Sequence, residues 1–89
     1  MSIRVFLVDD DPLVRSSLRL YFETTDDISV VAEAANGAEC LSMLEQVDVD
    51  IVLADIHMPT MDGITLLRKI KERPYPPVFL AVTSFDSDD

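Results

Sequence analysis

The sequence holds one cysteine and no tryptophan, and only 2 glycines and 5 prolines among 89 residues. A single cysteine excludes an internal disulfide framework and a multi-cysteine zinc site. So little glycine and proline excludes a collagen-like or low-complexity chain, and an apolar content of 48% excludes a disordered one. Positive charge is also scarce, with 7 basic residues against 17 acidic ones and a formal net charge of -10. A surface this negative repels phosphates, so these residues themselves are not expected to contact nucleic acid. No apolar run approaches the ~18 residues of a membrane span, so no membrane contact is expected. The N-terminal stretch MSIRVFLVDDD turns acidic too early for a signal peptide. A cytoplasmic protein of one domain is the expectation.

What is present alternates. Four short apolar runs, Ile3–Val8, Ile28–Ala32, Ile51–Ala54 and Val78–Val82, are rich in β-branched residues and nearly continuous. That is the signature of strands covered on both faces. Helical patterns lie between them. Asp10 or Asp11 can cap a first helix with Pro12 in its opening turn and an apolar stripe of Val14, Leu18, Tyr21 and Phe22. Asn36 and Glu39 have the spacing of a capping box, ahead of a helix that buries Cys40, Leu41 and Leu44. Asp62 can cap a third helix, with Ile64, Leu67 and Ile70 inward, Arg68, Lys69 and Lys71 in water, and Pro74 as its stop. The order βαβαβαβ predicts an α/β fold, a doubly wound parallel sheet with right-handed crossovers.

The residues just after the strands carry the chemistry. The first strand runs into Asp9 and Asp10, the third into Asp55, and the fourth into Thr83 and Ser84. In an open parallel sheet these ends share one edge, where ligands bind. If the first and third strands are neighbours, three carboxylates converge. Two unit charges about 4 Å apart cost about 1 kcal/mol in water and ~4 kcal/mol at an effective dielectric of about 20. Such a cluster calls for proton uptake or a bound cation. Oxygen ligands in this small number suit Mg²⁺, and a carboxylate held beside Mg²⁺ is placed to attack phosphorus. Asp11 and Asp62 read more simply as caps. Cys40 reads as a core residue and Met43 as packing or surface. The basic run 68–73 and the acidic run 86–89 read as solvated.

VFLVDDDP, LADIHMPTMDG and FLAVTS together make the chain resemble a response-regulator receiver domain of bacterial two-component signalling. The resemblance spans residues 1–89 and implies a flavodoxin-like receiver with strand order 2-1-3-4. It implies that Asp55 is the phosphoacceptor and that Asp9, Asp10, Asp55 and the backbone carbonyl of His57 hold Mg²⁺. Thr83 would be the switch hydroxyl, with Ser84 beside it at the phosphoryl group, and the donor a sensor histidine kinase. Receivers continue with a helix, a strand ending in a phosphate-pairing lysine, and a last helix. This sequence contains none of these, since Lys69 and Lys71 fall in the third helix. The domain is therefore expected to be incomplete at its C-terminus, to self-associate through the surface left bare, and to belong to a longer regulator. The stretch from Ile28 to Gly37 is similar to regulators with a helix-turn-helix DNA-binding output domain, which would carry the DNA contact. Two other readings stand beside the switch. A degenerate receiver would act only in binding or dimerisation. A Mg²⁺-dependent phosphohydrolase of the haloacid-dehalogenase-like class would place an aspartate where His57 stands.

Overall fold

The computed structural model describes residues 2–55 and 63–82. Four strands, β1 (Ile3–Val8), β2 (Ile28–Ala34), β3 (Ile51–Asp55) and β4 (Val78–Val82), alternate with α1 (Pro12–Phe22), α2 (Gly37–Leu44) and α3 (Gly63–Lys71). The strands form one parallel sheet in the order β2-β1-β3-β4. The doubly wound architecture and the strand order expected from the sequence are both present.

The helices begin where the sequence offers caps. The Asp11 carboxylate accepts the Leu13 N–H at 2.9 Å, and Pro12 opens the first turn. At α2 the Asn36 side chain accepts the Glu39 N–H at 2.8 Å, while Glu39 accepts the Ala35 N–H at 2.7 Å. This is a capping box shifted back by one residue. The basic residues Arg68, Lys69 and Lys71 occupy the last turn of α3, opposite the carbonyl end of its dipole. Asp62, expected to cap α3, lies outside the described residues.

The two faces of the sheet are unequally covered. Phe6, Val8, Val52 and Ala54 point to the side of α2 and α3, where they pack with Cys40, Leu44, Leu66 and Ile70 in one core. Burial there pushes the Cys40 thiol up to about 12, consistent with a packing residue and not a nucleophile. On the other side, among the described residues, lies α1 alone, and none of its residues is fully buried. Val78, Leu80 and Val82, which alternate with Phe79 along edge strand β4, remain exposed.

This asymmetry corrects three assignments. Tyr21 is 70% exposed, because α1 rests over the β2 side of the sheet and, among the described residues, its outer flank meets no second helix. Val14 is also exposed. In α3 the inward stripe is Leu66 and Ile70, and Ile64 faces water. Two strands also run further than the apolar pattern suggested, since β2 takes in Glu33 and Ala34 and β3 takes in Asp55.

Strand β2 is irregular at one point. Val5 pairs with Val30, but Phe6 pairs with Ala32, so β2 carries one extra residue, Val31. In an unbroken register Glu33 would sit opposite Val8 and face the core. The bulge sets it opposite Leu7 and turns it toward α1. At the opposite end of the sheet, Arg4 and Asp50 join β1 to the start of β3. Asp50 accepts the Arg4 N–H at 2.8 Å and its guanidinium at 3.2 Å, which holds the Asp50 carboxyl below its ordinary value.

Leu66→Ala should cost about 2–5 kcal/mol in urea unfolding, the usual cost of emptying a packed site. Tyr21→Ala should cost less than about 1 kcal/mol, as expected of an exposed residue. Equal losses would contradict the uneven cover of the two faces.

Candidate functional site

The register of β1 and β3 builds the site. Val8 pairs with Ala54, so the next residues, Asp9 and Asp55, emerge side by side at the C-terminal edge of the sheet. Asp10 comes next in the turn into α1. One carboxylate oxygen from each of Asp9, Asp10 and Asp55 can be chosen so that all three lie within 4.8 Å of one another.

The turn that carries two of them is held by its backbone. The Asp9 N–H donates to the carbonyl of Ala34 at 3.1 Å, tying the turn to β2. Asp9 Oδ1 accepts the Asp11 N–H at 2.9 Å, which leaves its second oxygen for other partners. On the far side, Arg15 Nη1 donates to the Asp9 carbonyl at 2.6 Å. Arg15 Nε donates to Glu33 Oε1 at 3.2 Å, and Arg19 pairs with the other Glu33 oxygen.

Burial is the main cause that raises the Asp9 carboxyl above its ordinary value. The Asp11 N–H opposes it, and the charges of Asp55, Asp10 and Asp11 push it further up. The ionised cluster is therefore under repulsion that a cation would relieve. An all-oxygen donor set suits a hard cation. Opposite ligands on Mg²⁺ at about 2.1 Å stand about 4.2 Å apart. The cluster is thus of the right size for an ion held partly by direct carboxylate contact and partly through water. Beside it, between α1 and the ends of β3 and β4, a small apolar cleft is lined by Leu7, Val14, Leu18, Leu53 and Val82.

The sequence-based assignments divide cleanly. Asp9, Asp10 and Asp55 are brought together, and Asp11 is a cap. His57, Thr83 and Ser84 lie outside the described residues. The Arg15–Glu33–Arg19 network escaped sequence reading. Its one signal was a glutamate inside an apolar run, at a position whose facing depends on the bulge.

Residues 5–89 match the family described as response regulator receiver domain. The chain belongs to that family. The receiver is 41% identical over 86 residues to the transcriptional regulatory protein YhcZ of Bacillus subtilis (strain 168), covering 97% of this chain and 40% of that protein. It is 42% identical to the response regulator ChrA of a heme-sensing two-component system, with a TM-score of 0.77 over 99% of this chain and 41% of that one. The response regulator domain of Thermotoga maritima CheB superposes with a TM-score of 0.87 at 30% identity, covering 99% of this chain and 65% of that one. The receiver thus spans about 40% of the length of the curated relatives it matches, which are named as transcriptional regulatory proteins. Among the described residues no helix is long and apolar enough to cross a membrane.

Because the folded-state value of Asp9 is raised, this carboxyl contributes stability below 3.8 that is lost as pH rises through that value. Asp9→Asn keeps the acceptor for Asp11 but not the charge. At pH 7 without divalent ions this variant should melt a few degrees higher than the unaltered protein in a calorimetric scan. Below pH 3 the difference should vanish.

Proposed function

We propose that this receiver is a phospho-accepting switch and that Asp55 takes the phosphoryl group. The observation that carries the reading is the meeting of three carboxylates from two strand ends at one edge of the sheet. In the transfer, an Asp55 oxygen forms a bond to phosphorus as the bond between phosphorus and a donor histidine nitrogen breaks. The products are an acyl phosphate and a free imidazole. A sensor histidine kinase is the donor this family membership favours.

Asp9 and Asp10, with Asp55 and the His57 carbonyl, would hold Mg²⁺. When bound, that ion supplies positive charge to the phosphoryl oxygens and relieves the carboxylate repulsion. Asp9 and Asp10 are fixed through the backbone of their turn, so they add orientation without rearranging. Asp55 ends a paired strand, opposite Val82, so its backbone is set before the donor arrives. Thr83, next after Val82, would supply the hydroxyl that turns toward the phosphoryl group, with Ser84 beside it. This reading places the switch in the cytoplasm and its output in a separate transcription domain.

Acetyl phosphate with Mg²⁺ should add one phosphoryl group by intact mass. Asp55→Asn or removal of divalent ions with EDTA should abolish it. Rapid continuous phosphate release would favour a phosphohydrolase, and no response would favour a passive binding module.

The open apolar half-face supports self-association as well. Val78, Leu80 and Val82 are between 43% and 58% exposed on an edge strand, a surface that favours a second copy. Sedimentation velocity at micromolar concentration should show a dimer, and Leu80→Lys should return it to monomer.

A further inference from the structure

We propose that Arg15 is the positioning residue of the acidic site and that it sets the site's affinity for a divalent cation. The inference rests on the proposed cation-binding role of that site and names the residue that prepares it for its ion.

Arg15 is joined to the Asp9–Asp11 turn twice. Its backbone N–H donates to the Asp11 carbonyl at 3.1 Å, and its side chain reaches back to the Asp9 carbonyl at 2.6 Å. The guanidinium is held on its other edge by Glu33, and both side chains are only 20% exposed. Glu33 is itself held by Arg19 and is turned toward α1 by the bulge in β2. The Asp9 N–H meanwhile donates to Ala34, the residue next to Glu33. The peptide units on both sides of Asp9 are thus anchored to adjacent residues of β2, one directly and one through Arg15.

The action is geometric. A bare guanidinium near the carboxylates would compete with a cation, but Glu33 offsets the Arg15 charge at close range. What remains is a planar fork that spans two acceptors, a geometry lysine cannot reproduce. Loss of the fork frees the Asp9 carbonyl and lets the two carboxylates swing apart under their own repulsion. Partners that orient metal ligands typically contribute about 10–100-fold to metal affinity.

The test is calorimetric titration of the protein with Mg²⁺ alone, paired with hydrogen exchange of the Asp10 and Asp11 amides. Arg15→Ala should weaken Mg²⁺ binding by about tenfold and speed exchange at those two amides while the β3 amides keep their protection. Arg15→Lys should fall between this variant and the unaltered protein. Arg19→Ala touches Glu33 but not Asp9 and should leave Mg²⁺ affinity within about twofold. Unchanged affinity in Arg15→Ala, an equal loss in Arg19→Ala, or faster exchange throughout β3 would overturn the positioning role while leaving the cation site intact. No Mg²⁺ binding by the unaltered protein would overturn the cation site itself and the role with it.

Discussion

Three negative charges held within a few ångströms are the constraint on which the rest of this molecule turns. Asp9, Asp10 and Asp55 would separate if their backbones allowed it. They do not separate because the parallel register of β1 and β3 ends in the same layer, Val8 against Ala54. The sheet therefore does more than enclose a core. It keeps like charges together at a cost that packing elsewhere must offset, and the strained cluster is then ready for a partner of opposite sign. Function at this edge depends on stability supplied at the other face of the sheet.

That stability is lopsided. The α2 and α3 side holds a closed cluster around Phe6, Val52, Leu66 and Ile70. The α1 side holds charged pairs over β2 and exposed aliphatic side chains over β4. The acidic site lies at the seam. Its β1 turn is tied to the polar half through Arg15 and Ala34, and its β3 member neighbours the open apolar half. A change in what covers β4 would be felt at Asp55 through the Asp55–Val82 pairing, whereas a change at α1 would be felt at Asp9. The two halves of the site thus answer to different surroundings.

Much of this was legible in the residues. The strands announced themselves by short β-branched runs, and the aspartates were informative because each came directly after such a run. Caps at Asp11 and Asn36 were readable because a side-chain acceptor at a helix start acts locally. The errors came where local pattern is not enough. Tyr21 fits an apolar stripe, but a stripe is buried only if something lies against it. Ile64 and Leu66 are both apolar, and only the docking angle of α3 decides between them. Glu33 could not be placed at all from alternation, since one extra residue upstream reverses which side of the sheet it faces.

That extra residue has a wider consequence. Val31 divides β2 into two segments of opposite parity, so the facing of Glu33 rests on the pairing beyond the bulge and not on alternation from Val30. A chain without Val31 would close the register and keep Glu33 opposite Leu7, whereas a strand that kept Val31 but lost the bulge would send that carboxylate into the hydrocarbon interior.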